Sequence, residues 1–173
     1  NFMDEGLTLI AIHVPPNIMS VTLPGIGPGH REFVRLSKQM AAFGAFYHDQ
    51  PSGRVWRGFG REPFVTYRLA PQAKAGLIKA CQIIGQIYFA AGARQILLPI
   101  WSKNVVSSPD ELKKLTPETV KGKWFEISSY HPLGTARMGL DPHHSVVDQF
   151  GKTWDYPNLW VVDGATLPTS IGV

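Results

Sequence analysis

The sequence holds one cysteine, Cys81, in 173 residues. A single thiol excludes an internal disulfide framework and any cysteine-rich zinc cluster. Long apolar runs are also missing, since no uninterrupted stretch reaches the ~18 residues that a membrane-spanning helix needs. The opening Asn1-Phe2-Met3-Asp4-Glu5-Gly6 is acidic and too polar for the core of a signal peptide. Charge is sparse: 17 basic against 13 acidic residues leave a net charge of +4. The basic residues are scattered, with Arg54, Arg57, Arg61 and Arg68 in one region and Lys113, Lys114, Lys121 and Lys123 interleaved with Asp110, Glu111 and Glu118. Nucleic-acid binders concentrate such charge on one face, so no nucleic-acid partner is expected. Phosphate-binding loops are lacking too. Gly25-Ile26-Gly27-Pro28-Gly29-His30 places His30 where a dinucleotide loop needs its third glycine, and Pro28 stiffens the turn. There is no Walker-type loop and no G-x-S-x-G elbow, so serine-hydrolase chemistry has no support.

What is abundant is glycine (17) and proline (14) in a chain that is 44% hydrophobic. Both exceed average usage and point to a turn-rich globular chain with its own core. Residues 7–14 are apolar and β-branched and stop at Pro15-Pro16, which predicts a buried strand with a hard stop, and a loop is expected around Leu23–His30. Phe33, Leu36 and Met40 are spaced for a helix over 30–41. Residues 42–48 read as a strand, with Ser52-Gly53 as a hairpin turn into Arg54–Gly58, and Phe64–Leu69 as a further strand. The clearest helix is 71–91, opened by Pro71 and closed by Gly92. Its apolar stripe of Leu77, Cys81, Ile84 and Tyr88 makes Cys81 a small hydrophobe instead of a reactive thiol. Arg94–Leu98 reads as a short strand. Ser108-Pro109 opens a short helix, with a second candidate turn at Thr116-Pro117-Glu118. Beyond Trp124 come short apolar runs at 125–128, 145–147 and 159–162. Strands are expected to dominate, which is an α+β pattern.

Six histidines could act as bases or metal ligands. His13 lies in an apolar strand and reads as a satisfied core residue, and His48 beside a turn reads as solvated. His143-His144 next to Asp141 invites a metal reading, but neighbouring residues on an extended chain point to opposite sides, and metal-ligand spacing is lacking. No metal is expected. Segment 128–139 differs. There His131 ends an apolar strand, Pro132 locks it, and Gly134 and Gly139 permit close backbone approach to a ligand. That is a sound placement for a general base.

The run His131-Pro132-Leu133-Gly134-Thr135-Ala136-Arg137-Met138-Gly139 is followed by Val146-Val147-Asp148. Then comes Asn158-Leu159-Trp160-Val161-Val162-Asp163-Gly164-Ala165-Thr166-Leu167-Pro168-Thr169-Ser170-Ile171-Gly172-Val173. In order and spacing this resembles the C-terminal signature of the glucose–methanol–choline (GMC) family of flavin oxidoreductases. Gly29-His30-Arg31-Glu32, Gly53-Arg54-Val55 and Phe89-Ala90-Ala91-Gly92-Ala93 extend the resemblance more weakly upstream. The resemblance implies oxidation of an alcohol with FAD, in which a base takes the hydroxyl proton while the carbinol carbon passes hydride to flavin N5. His131 takes the base role. Asp163, Gly164, Ala165, Pro168 and Thr169 fall on the cofactor-contacting segment. The implied fold is α+β: an antiparallel sheet backed by helices forms the substrate-binding portion over 1–127. Residues 128–173 then return into an α/β FAD-binding domain.

The departures matter equally. The family's N-terminal G-x-G-x-x-G is absent, and the second catalytic residue, His or Asn, would stand just after Val173. The chain is therefore expected to be a C-terminal piece of a longer enzyme, with the remainder of the same polypeptide holding most of the FAD. The alternative is a non-catalytic binding module that keeps the fold. A metal-dependent hydrolase built on His143 and His144 is a distant third. Phe43, Phe46, Tyr47, Trp56 and Trp101 could line a pocket for an apolar alcohol or could be ordinary core aromatics.

Overall fold

The computed structural model describes residues 5–50 and 52–171. Asn1–Asp4 of the acidic opening, and Gly172 and Val173 of the C-terminal glycine segment, lie outside the described residues. Six short strands and four α-helices follow one another: β1 (Leu7–Ile12), α1 (Pro16–Thr22), α2 (Pro28–Leu36), β2 (Ala42–Tyr47), β3 (Arg54–Trp56), β4 (Phe64–Thr66), α3 (Pro71–Ala90), β5 (Ile96–Leu97), β6 (Val105–Val106) and α4 (Pro109–Lys113). The α+β reading holds, but the expected antiparallel sheet is three separate two-stranded ladders, β1–β2, β3–β4 and β5–β6. Helix also outweighs strand, because the apolar runs after Trp124 form turns and isolated bridges.

The framework is α3. Pro71 occupies its first turn, where a missing N–H costs nothing. At its other end Gly92 adopts φ +89°. The Gly92 amide donates to Phe89 O (3.0 Å) and the Ala93 amide to Tyr88 O (2.9 Å), a Schellman closure. Of the expected stripe, Cys81 lies in the core and Leu77 and Tyr88 pack against it, and Ile78 and Gly85 are buried beside them. They pack with Ile96, Leu98, Ile100, Val106, Leu112, Leu115, Val120 and Phe125. At Gly85 an added Cβ would stand 2.5 Å from Leu112 Cδ1, so the glycine sets how closely α4 approaches. Gln82 Nε2 donates to the carbonyls of Leu115 (2.9 Å) and Leu112 (3.4 Å), satisfying the C-terminal end of α4. Ser108 occupies the N-cap position as expected, although its side chain makes no capping bond.

The opposite side of α3 carries β1–β2. The register runs from Leu7↔Tyr47 to Ile12↔Ala42. Tyr47 lies over Gly76, and Phe43 meets Tyr88 edge-on at 5.9 Å. Leu7, Leu9, Ala11, Phe43, Ala45 and Tyr47 thus face α3, and alternation turns Thr8, Ile10, Ile12, Ala42, Gly44 and Phe46 to the other face. Several local expectations change here. Only Leu7 of β1 is buried, because α3 covers just one end and one face of the strand. His13, expected in the core, is exposed. Pro16 starts the helix α1, a stretch to which the sequence pattern assigned no element. Likewise α2 starts at Pro28, because proline suits a helix start even after a glycine turn. The hairpin expected through Ser52-Gly53 does not form. Instead β2 pairs back with β1, and β3 pairs with β4 across residues 57–63.

Candidate functional site

His131 follows the last core residue of its stretch, Phe125, by a run of exposed backbone. Pro132 limits the conformation of His131, and Gly134 then turns the chain with φ +80°. An added Cβ there would sit 3.3 Å from Leu167 O. The next residues are stitched to the 163–168 segment: Ala136 N donates to Ala165 O (2.9 Å) and Met138 N to Thr166 O (2.8 Å). On the other strand of this seam, an added Cβ at Gly164 would lie 2.9 Å from Leu133 Cδ2 and 3.4 Å from Pro132 O. Both glycines therefore serve the approach of one motif segment to the other. The sequence had suggested approach to a ligand.

Asp163 caps the single turn Gly164–Thr166: its Oδ1 accepts from Ala165 N at 2.8 Å, and its carbonyl accepts from Thr166 N (3.2 Å) and Thr166 Oγ1 (2.9 Å). The Ala165 amide is thus committed within the turn. Pro168 and Thr169 follow it on the surface, with Thr166 buried behind them. The structure thus brings His131 and the Asp163–Thr169 segment into one seam.

Three layers of chain support that seam. Val147, with no exposed surface, bridges in parallel to Met138 and antiparallel to Thr153. Asp148 Oδ1 accepts from Phe150 N (2.8 Å) and Lys152 N (3.0 Å), and Lys152 bridges to Trp160. Gly151 has φ +80°, and a Cβ there would come within 2.6 Å of Val161 O. Arg137 is structural: its Nε donates to His144 O at 2.8 Å. Asp141, His143 and His144 form a turn in which His143 N and Ser145 Oγ donate to Asp141. His144 Nε2 lies 3.8 Å from Asp141 Oδ2. Among the described residues no three His, Cys, Asp or Glu side chains gather as metal ligands would.

Sequence reasoning did not anticipate two contacts from β2. The Phe46 ring stacks on the His131 imidazole, with centroids 6.4 Å apart and planes 19° apart. His48, two residues on, reaches across with Nε2 to the Ser170 carbonyl. The alternation of strand side chains puts both on the face turned away from α3, and His48 N–H bonds to Gly6 O at 2.7 Å, continuing the ladder. The sequence marked Phe46 only as a candidate pocket aromatic and His48 only as a solvated histidine, because both pairings join segments more than eighty residues apart. The five aromatics considered for a pocket separate: Phe43 and Tyr47 face α3, Phe46 faces His131, Trp56 donates to Thr66 Oγ1 (2.9 Å), and Trp101 is exposed.

Cys81 and Tyr67 are among the ionisable groups shifted elsewhere. Burial pushes the Cys81 thiol up to about 12, as suits a small hydrophobe. Burial also raises the Tyr67 hydroxyl, helped by the Asp49 carboxylate that accepts its hydrogen bond.

The sequence profile of the GMC oxidoreductases matches residues 61–173. The chain belongs to that family, as a C-terminal part. An uncharacterized GMC-type oxidoreductase of Mycobacterium tuberculosis is 31% identical over 95% of this chain and 26% of its own length. A long-chain-alcohol oxidase of Arabidopsis thaliana is 26% identical over 75% of this chain and 18% of its own. A cholesterol oxidase of M. tuberculosis is 41% identical over 30% of this chain and 10% of its own. The chain spans about a quarter of the length of the first of these. No solved structure matches it. Among the described residues no helix is long and apolar enough to cross a membrane.

Proposed function

We propose that this chain supplies the base and part of the substrate wall for FAD-dependent oxidation of an alcohol. In this reading residues 1–127 belong to the substrate-binding portion, and residues 128–173 form the segment that returns to the flavin. The carrying observation is the seam itself, in which an exposed imidazole is held beside the Asp163–Thr169 segment by two backbone hydrogen bonds and two glycine contacts. The residues present fit one end of the cofactor. His131, Pro168 and Thr169 are exposed around a glycine-packed turn that can meet a flat ring and its chain, and nothing in the sequence supplies a dinucleotide loop for the adenosine diphosphate end. When bound, FAD would supply the hydride acceptor for the carbinol carbon.

The chain's own residues then divide the work. An imidazole nitrogen of His131 takes the hydroxyl proton, a contribution typically worth ~10²–10⁴ in rate. Asp163 holds the Gly164–Thr166 turn, so that Pro168 and Thr169 keep their place against the cofactor. Because the Ala165 amide is already bonded to Asp163, Ala165 contributes its carbonyl link to Ala136 and its small size. The sheet face beside His131 is apolar, with Ile10 and Ile12 exposed at 41% and 42%. Together with relatives named as long-chain-alcohol and cholesterol oxidases, it supports an alcohol with an apolar body. The test is anaerobic addition of straight-chain primary alcohols and sterols to the flavin-loaded full-length protein. Loss of the oxidised-flavin absorbance is the expected result. Persistent absorbance across both series would refute alcohol oxidation.

A further inference from the structure

We propose that Phe46 is a positioning residue for the reaction, acting through His131. The proposal rests on the reading of His131 as the base. Its ground is the geometry of β2. Phe46 emerges from the strand on the face turned away from α3, and its ring lies within 19° of the imidazole plane at 6.4 Å, inside the range of offset aromatic stacking. His131 sits on a segment without regular secondary structure, so side-chain contacts, and not a helix or strand, set the direction of its ring. A flat partner from a hydrogen-bonded strand restricts its rotation and fixes the direction of the ring nitrogens.

The strand end is itself well held. Thr8 pairs with Phe46, and Leu7, opposite Tyr47, is buried at 2% exposure. Tyr47 packs over Gly76 of α3. His48, on the same face as Phe46, bonds to the Ser170 carbonyl at the end of the other motif segment. One strand end thereby touches both halves of the seam, and Phe46 transmits the rigidity of the α3-backed sheet to the imidazole. A catalytic group displaced by about 1 Å can lose up to ~10²-fold in rate, which sets the scale of the effect.

The experiment is a double-mutant cycle on the flavin-loaded full-length protein, reading the limiting rate of flavin reduction by alcohol under anaerobic conditions. Phe46→Leu keeps an apolar side chain and removes the flat ring. It should slow reduction about tenfold with the half-saturating alcohol concentration unchanged, while Phe46→Tyr should restore the rate to within about twofold. In the His131→Ala background, where the rate is already low, Phe46→Leu should cost less than about twofold more. If Phe46→Leu is equally costly in both backgrounds, or Phe46→Tyr fails to rescue, the positioning role is wrong and His131 can still be the base. If His131→Ala itself reduces as fast as the wild type, both readings fall. Should Phe46→Leu lose flavin, Phe46→Met carries the same expectation and the same refutation.

Discussion

Gly134→Ala probes the seam most sharply. Gly134 holds φ +80°, a conformation that costs an L-residue about 1–2 kcal/mol. The new Cβ would also press on Leu167 O at 3.3 Å and approach Pro168 O at 3.8 Å. Those carbonyls belong to the segment that carries Thr169, and relief means moving it away from Pro132 and His131. The thermal midpoint of the full-length protein should therefore fall, by the shift that about 1–2 kcal/mol of lost stability produces. Flavin reduction by alcohol should slow by about ten- to a hundredfold, because the base shifts relative to the substrate. Gly134→Asn should lose less stability, since Asn tolerates positive φ. Gly134→Val should lose more, because its branched Cβ tolerates that φ worst and meets the same carbonyl. Thermal melts of the full-length protein followed by flavin fluorescence, paired with stopped-flow reduction, measure both. An Ala variant equal to wild type in both, or a Val variant no worse than Asn, would refute the reasoning.

Three further outcomes are expected. Gly85→Ala should destabilise by about 1–3 kcal/mol despite alanine's better helix propensity, because the buried Leu112 has nowhere to go; Gly85→Ala combined with Leu112→Ala should lose less than the two single losses added, readable by urea denaturation. Asp163→Ala should cost about 1 kcal/mol through loss of the cap on Ala165 N, and Asp163→Asn much less; equal losses in denaturation would contradict the cap. Cys81 titrates at about 12 when folded against an ordinary 9.0, so the folded chain keeps its proton longer than the unfolded chain. The thiol's contribution to stability is then intact below pH 9 and is lost as pH rises through 12. Iodoacetamide at pH 8 should label it slowly in the native protein and rapidly in urea.

The helix-start signal Pro71 and the helix-stop signal Gly92 made α3 legible to within a residue, because first-turn proline and a left-handed C-terminal glycine act locally. The motif segments at 131–139 and 163–169 were legible as a pattern, and the structure sets them side by side. The packing role of Gly134 and Gly164 was not legible, since the atoms a Cβ would strike belong to the other segment. The β1–β2 pairing was missed for a related reason: the turn at Ser52-Gly53 looked competent locally, but β2 gains more by pairing with β1 across the face of α3. Apolar content made β1 look buried, yet Ile10 and Ile12 stand open on the face that meets His131. Phe46 and His48 were named in the sequence, but their partners were not legible, because those contacts are tertiary.

The central claim is that His131 moves the substrate proton, and the direct measurement is anaerobic stopped-flow reduction of the flavin-loaded full-length protein carrying His131→Ala. The account predicts a fall of ~10²–10⁴ in the limiting rate with flavin content unchanged. A limiting rate equal to wild type, with flavin fully bound, would contradict it.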